Sequence, residues 1–399
     1  MVMTSTSLPR IYLQTGRDRR IAHGSPWAYS NEIRMDSEAR ALPAGSLVTL
    51  HRVDGKALGI GMFNPHALIA VRLLDRDPST LIDAAFLAKR FRYALDLRMR
   101  LFSEPFYRLV HAEADALPGL IADRFDNHVV LQINTAGMDR LTSDILAALA
   151  TVLGPRTVVL RNDSRARALE GLPREVRVVW GDARGCIRVK EMNLWFYADP
   201  VAGQKTGWFY DQRPNRRFVA PLAAGRTMLD VYCHSGAFAV TAAAAGAVRV
   251  LGIDSSEAAI DLARRAAAAN GLAPVCTFQH GEAFATLEAM AASGERFGVV
   301  VADPPVFVKS RKELTSGLKG YRKLARLAAT VVEPGGFLFI ASCSHTVEPA
   351  RFAEEVVAGL DRAGREGRVL RMSGAGPDHP VHPHLPETAY LKTVVLQID

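Results

Sequence analysis

From Thr227 onward the chain alternates short apolar strands with helical stretches, and this alternation restricts the fold more than any other feature of its 399 residues. Met228-Leu-Asp230, the run 248–254 ending in Leu251-Gly-Ile-Asp254, Val299-Val-Val-Ala302 and Phe337-Leu-Phe-Ile-Ala341 read as buried strands. Helical patterns over 237–245, 257–270 and 321–332 fall between them. Successive strand-helix-strand units of this kind predict an α/β fold, a doubly wound parallel sheet with helices on both faces.

In such sheets ligands bind outside the carboxyl ends of the strands, so the residues there carry the functional information. They are Asp230, Asp254, Asp303 and Ser342-Cys343-Ser344. The first turn, Asp230-Val-Tyr-Cys-His-Ser-Gly236, has one glycine and neither the G-x-G-x-x-G nor the Walker pattern, which disfavours dinucleotides and nucleoside triphosphates. Asp254 stands 24 residues after Asp230, the usual place for a carboxylate that accepts from ribose hydroxyls. An acidic first turn followed by a ribose-binding acid suits S-adenosylmethionine, whose sulfonium and ammonium are cationic and which has no pyrophosphate.

Asp303-Pro304-Pro305-Val306-Phe307 follows a buried strand. Its two prolines fix φ and hold the carboxylate and carbonyls toward the cofactor site, where a nucleobase edge is a plausible partner and Phe307 is available for stacking. Cys343 sits at another strand end. A lone cysteine is more often a small buried hydrophobe; beside a methyl donor, however, a thiolate that adds to C6 of a pyrimidine makes C5 nucleophilic.

The N-terminal half reads differently. Ser46-Leu-Val-Thr-Leu-His-Arg-Val53, Ala57-Leu-Gly-Ile-Gly-Met-Phe63 and Leu68-Ile-Ala-Val-Arg-Leu-Leu74 are strands of a small β-barrel, expected as a separate module over 1–77. Thr80 and Asp83 resemble a capping box before an amphipathic helix running to about Leu101, with Ile82, Phe86 and Leu97 on its apolar face. Strands at 107–110, 128–133 and 157–160 around a helix over 138–152 predict a small α+β central domain, 78–190, ahead of the 191–399 domain.

Charge follows this division. Residues 1–190 hold 27 Lys+Arg and 20 Asp+Glu, net +7, whereas 191–399 hold 22 and 21, net +1. Clustered arginines (Arg17, Arg19 and Arg20; Arg90, Arg92, Arg98 and Arg100; Arg161, Arg165 and Arg167) suit a polyanion or, equally, a solvated surface. Four cysteines exclude a disulfide scaffold and point to a reduced compartment. With no run of 18 uncharged apolar residues and no apolar leader, the expectation is a cytoplasmic, unexported protein.

Gly24-Ser-Pro-Trp-Ala-Tyr29, Glu113-Ala-Asp-Ala-Leu-Pro-Gly119, Asp123-Arg-Phe-Asp126, Gln204-Lys-Thr-Gly-Trp-Phe-Tyr-Asp-Gln-Arg213, Asp303-Pro-Pro-Val-Phe307, Gly320-Tyr321, Ser342-Cys-Ser344, Asp378-His-Pro380 and Pro386-Glu-Thr-Ala-Tyr-Leu-Lys392 together resemble the 23S ribosomal RNA cytosine-5 methyltransferases of the RlmI type. The resemblance spans nearly the whole chain. It implies an RNA-binding PUA domain, a central domain and a Rossmann-like class I methyltransferase domain. It further implies that Lys205, Thr206, Tyr210, Gln212 and Arg216 line the methionine side of the S-adenosylmethionine pocket, with Asp230 and Gly236 at the first turn, Asp254 on the ribose and Glu282 at the adenine edge. Asp303 would meet cofactor and target base together with Pro304, Cys343 would be the nucleophile, and Arg161, Arg165 and Arg167 are expected to contact RNA. Glu282 replaces the usual Asp, and Val306 stands where two-cysteine RNA methyltransferases carry a second Cys, so the base that takes the C5 proton is unassigned.

Cys186, Cys233 and Cys276 are expected to be structural, and His379, His382 and His384, spaced by prolines, a loop without metal. The expected partner is ribosomal RNA or a precursor subunit, with no membrane; a homodimer is an open assembly. Guanine-N methylation and a non-catalytic assembly role are the alternatives.

Overall fold

A computed structural model describes residues 8–399. Two compact units divide them. The first takes the chain up to Gly185 with Asp199–Trp208 and Asp378–Pro386; the second takes Cys186–Ala198, Phe209–Pro377 and Glu387–Asp399.

The second unit is built on seven strands: β1 (Thr227–Val231), β2 (Arg249–Asp254), β3 (Cys276–His280), β4 (Phe297–Ala302), β5 (Val332–Ser342), β6 (Gly367–Ser373) and β7 (Lys392–Ile398). Their order across the sheet is β3-β2-β1-β4-β5-β7-β6. The first five are parallel, while β7 runs antiparallel to both β5 and β6. Val299, Val300 and Val301 are wholly buried, as expected for a central strand covered on both faces.

The covering helices are α1 (Ala237–Ala244), α2 (Glu257–Ala269), α3 (Ala283–Ser293), α4 (Leu314–Thr330) and α5 (Pro349–Ala363). Ser256 caps α2 through the Ala259 N–H, and left-handed Gly294 and Gly364 end α3 and α5. The strand reading extends as expected, except that β3, β6 and β7 and helices α3 and α5 appear only in the structure. A hairpin, Ile187–Glu191 with Leu194–Ala198, turns through Met192 and Asn193, both at positive φ, and is tied to the end of α2 by Trp195–Asn270 hydrogen bonds of 2.9 and 2.7 Å.

The first unit holds two five-stranded sheets. One orders Arg10–Tyr12, Ser46–His51, Ala57–Phe63, Ile69–Asp75 and Trp27–Tyr29; the other orders Glu175–Trp180, Thr157–Asn162, His128–Ile133, Leu120–Phe125 and Phe106–His111. The barrel strands are not isolated from the central segment. Ile60, Met62 and Leu74 join a core with Phe86, Leu87, Phe91 and Ile145, and Gly137 comes so close to Met62 that any Cβ would collide with it. Asp83 is itself the N-cap of helix Ala84–Leu101, accepting from the Phe86 N–H at 2.8 Å, rather than the third residue of a box begun at Thr80; Leu97 faces solvent.

Candidate functional site

The turn after β1 is backbone under constraint. Tyr232 and His234 adopt left-handed φ values of 65° and 49°, and Gly236 follows at 76°. Non-glycine residues in that region persist where their surroundings hold them, and such positions concentrate at functional sites. Here the His234 N–H donates to Asp254 Oδ2 at 2.9 Å, and the Cys233 N–H donates to the Ile253 carbonyl at 3.0 Å. A Cβ on Gly236 would lie 2.9 Å from the Ala263 Cβ and 3.1 Å from the Phe278 ring, so glycine lets this turn pack against α2 and β3.

Three carboxyls face this turn. Asp230 is 1% exposed and accepts from the Ala239 N–H at 3.1 Å. Burial pushes its carboxyl well above the usual range, and the charges of Asp303 and Asp254 push the same way, against the Ala239 N–H and Arg216. Asp254 is half-buried, with its two oxygens held by the N–H groups of His234 and Ser256. Each oxygen keeps a further lone pair for a hydroxyl donor. Asp303, past β4, accepts from Gln212 Nε2 at 2.8 Å. Gln212 is held in turn by Asn215 Nδ2 at 2.7 Å, and Ser373 Oγ donates to Asn215 at 2.8 Å. Sequence reading missed this Ser373-Asn215-Gln212 relay, whose ends lie 158 and 91 residues from their partners. Like charges around a buried carboxyl fit a cationic ligand such as a sulfonium or ammonium.

The other expected cofactor residues divide. Tyr210 is buried beneath the Arg213 guanidinium, 5.1 Å from the ring centre. Arg216 is committed to protein. It makes a two-pronged pair with Glu191 at 2.6 and 2.7 Å and donates to the Phe209 carbonyl at 3.0 Å. Burial would raise the Glu191 carboxyl, but Arg216 and Arg213 hold it below its ordinary value. Arg216 therefore anchors the segment leading to Gln212, while its charge also reaches Asp230. Glu282 is exposed and caps α3 through the Ala285 N–H at 3.0 Å. Lys205 and Thr206 belong to the first unit, where Thr206 Oγ1 donates to Asp123 Oδ2 at 2.6 Å and Asp123 pairs with Arg108; Lys205 is exposed. Thr206 is wholly buried in that pair, so its hydroxyl serves the first unit's core.

At the end of β5, the serines flanking Cys343 are pinned. Ser342 Oγ donates to Tyr321 Oη at 2.9 Å, and Tyr321 Oη and Ser344 Oγ lie 3.0 Å apart. The same pair reaches the proline loop, with the Phe307 N–H on Tyr321 Oη at 3.5 Å and the Val308 N–H on Ser344 Oγ at 3.4 Å. Tyr321 thus ties the Asp303–Phe307 loop to the cysteine segment while Cys343 stays half-buried. Pro304 is buried and Pro305 exposed. The Phe307 ring packs 4.8 Å from that of Tyr321 and stays partly exposed. Cys233 and Cys276 are inert by contrast. Burial and the carboxylates of Asp230 and Asp254 push the Cys233 thiol far up, and burial alone takes Cys276 to about 12.

The arginine cluster is largely structural. Arg161 is 4% exposed and serves the Pro200 and Gly203 carbonyls and Asp163. Arg167 is 1% exposed, bonded to Asp139 and the Ile133 and Pro173 carbonyls. Neither guanidinium is available to RNA; of the three, only Arg165 is exposed. Arg98 is likewise buried, paired with Asp115. His379 is buried against Asp378 at 2.9 Å.

This fold and these strand ends define a class I methyltransferase. Residues 131–396 match the model of the S-adenosylmethionine-dependent methyltransferases, and residues 11–76 match a PUA-like domain. The chain is 33% identical to ribosomal RNA large subunit methyltransferase I of Aeromonas hydrophila over 97% of its length and 98% of that protein's. It is 30% identical to the protein of the same name from Pseudoalteromonas translucida, over 97% and 99%. Among solved structures, a Streptococcus mutans chain assigned as a SAM-dependent methyltransferase superimposes with a TM-score of 0.82 at 18% identity, covering 98% of this chain and all of that one. A methyltransferase complexed with SAH superimposes at 0.83, also 18% identical, with the same coverage. The chain belongs to the ribosomal RNA large subunit methyltransferase I family, and its cofactor is S-adenosylmethionine. Among the described residues no helix is long and apolar enough to cross a membrane.

Proposed function

We propose that this enzyme forms 5-methylcytidine in large-subunit ribosomal RNA, with Cys343 as the nucleophile. The observation that carries the reading is the placement of Cys343 past β5, next to the strand that presents Asp303, with both flanking serines fixed on the one tyrosine that also holds the proline loop. A thiol held this firmly beside a base-orienting carboxylate suits addition to a ring carbon.

The residues divide the work. Asp230, Gly236 and Asp254 would hold the cofactor, which when bound supplies an electrophilic methyl group. Gln212 fixes Asp303, whose carboxylate would accept from the amino edge of cytosine and hold C6 over the sulfur. Cys343 forms the S–C6 bond, the displaced ring electron pair makes C5 enamine-like, and the bond breaks again when the C5 proton leaves. For the polyanion, the first unit offers exposed Arg17, Arg19, Arg92, Arg100 and Arg165. Arg17, Arg19 and His23 line a hollow of about 460 Å³ in which Arg20 is paired with Glu32, leaving the basic side to phosphate.

The test is a ribosomal RNA fragment carrying 5-fluorocytidine, incubated with enzyme and cofactor. Fluorine cannot leave as a proton does, so the adduct should persist, and peptide mass analysis should find it on Cys343. A methylated guanosine in normal RNA, with no adduct, would discard the reading.

A further inference from the structure

β7 begins with Lys392, and the antiparallel ladder sets Lys392 opposite Ser342, the last residue of β5. Cys343 is the next residue, and the Lys392 amine reaches past it to the carbonyl of Ser344, which brings the lysine head to the cysteine segment. The Lys392 side chain is 5% exposed. Its Nζ donates to the Ser344 carbonyl, one residue past the cysteine, and, at 2.8 Å, to the Tyr390 carbonyl, two residues before the lysine itself. Burial lowers this amine to about 8, while the charges of Cys343 and Glu348 favour its protonated form. Unperturbed thiols titrate near 8.5, in the same range as this amine.

We propose that Lys392 is the positioning residue that takes the Cys343 proton and holds the resulting thiolate at the end of β5. The S–H bond breaks, its electron pair stays on sulfur, and the proton moves to the lone pair of the neutral amine, leaving a thiolate beside an ammonium. Relying on the Cys343 assignment above for its role in catalysis, the pair keeps sulfur nucleophilic near neutral pH. The surroundings agree with that direction. Glu348, ahead of α5, supports the ammonium, and the Tyr321 hydroxyl from α4 is pushed up by burial, with the Cys343 charge adding to it, so it stays neutral. His345 stacks 5.4 Å from Tyr390, whose hydroxyl is engaged by Asp211 at 2.5 Å.

The experiment measures iodoacetamide alkylation of Cys343 in the full chain as a function of pH, read on its own peptide by mass spectrometry. The wild type should show a midpoint below 8.5. Lys392→Gln keeps N–H donors for the two carbonyls but removes the charge, and should raise the midpoint by about one unit, a roughly tenfold slower reaction at pH 7. Lys392→Arg keeps the charge and should hold the midpoint low. An unchanged midpoint in a Lys392→Gln protein that melts cooperatively overturns the proposal. Should that variant fail to fold, a wild-type midpoint at or above 8.5 overturns it equally. A Cys343→Ala protein that still methylates RNA would defeat the nucleophile assignment and leave the alkylation profile intact, so the two failures are separable.

Discussion

Two cysteines follow strands of the same sheet and meet opposite electrostatics. Cys233 follows β1 among carboxylates, 5% exposed, its Sγ 3.1 Å from where a Cβ on Gly252 would lie, and its thiol is driven far above the useful range. Cys343 follows β5, half-buried between two anchored serines, with the Lys392 amine on the carbonyl of the second. Sulfur is the same in both places. At the β1 end the negative field that suits a cationic cofactor suppresses a thiolate, whereas at the β5 end a buried cation favours one. On the roles proposed above, cofactor binding and nucleophile chemistry would fall at strand ends of opposite charge.

The comparison breaks most sharply at the sulfur atoms. Cys343→Ala should lower methyl transfer by about 10⁴-fold or more, the scale seen when a nucleophile is removed. Cys233→Ala should keep transfer within a few-fold and lower stability by about 1 kcal/mol for the lost packing. Radiolabelled methyl incorporation into unmodified ribosomal RNA decides between them, and equal losses would erase the distinction. Next comes Arg216→Met. It leaves Glu191 buried without its main partner and should cost about 3–5 kcal/mol in urea unfolding. Were Arg216 a cofactor ligand instead, the loss would appear as weaker S-adenosylhomocysteine binding at nearly unchanged stability.

The contrast also shows what the sequence can reveal. The strand ends that hold Asp230, Asp254, Asp303 and Cys343 were legible because an alternating strand pattern marks its own carboxyl ends. Lys392, Ser373 and Glu191 were not, because each acts on a partner between 25 and 158 residues away that only the sheet register or a returning hairpin brings near. β3 was missed because Thr277, Gln279 and His280 leave it half-polar. The arginines misled for a related reason. A charge count cannot distinguish Arg165, which faces water, from Arg167 two positions on, which the short helix Arg165–Leu169 turns inward onto Asp139.

The acid cluster yields a pH prediction. Asp230 binds its proton more tightly folded than unfolded, so between the ordinary carboxylate range and its raised value the native state carries more protons. Stability from this group therefore falls as pH rises through that window. Asp230→Asn keeps an acceptor for the Ala239 N–H and removes the slope. It should unfold at higher urea than wild type at pH 8, by on the order of 1 kcal/mol, with the gap closing toward pH 4, while S-adenosylhomocysteine binds more weakly. A gap that widened on acidification would show that Asp230 is stabilised as an anion, and the two ends of the sheet would no longer differ in sign.

The smallest effect probes what the two ends share. Tyr321→Phe removes one hydroxyl and leaves the ring that packs against Phe307 and Phe352. The hydroxyls of Ser342 and Ser344 lose their common partner, which should cost about 1 kcal/mol in stability. The functional loss should be about tenfold and fall on kcat, since the cysteine segment and proline loop would no longer be locked together. Cofactor affinity, which the proposed roles set at the β1 and β2 ends, should not change. A variant that lost cofactor binding and kept its turnover would place Tyr321 with the carboxylate end and dissolve the division between the two.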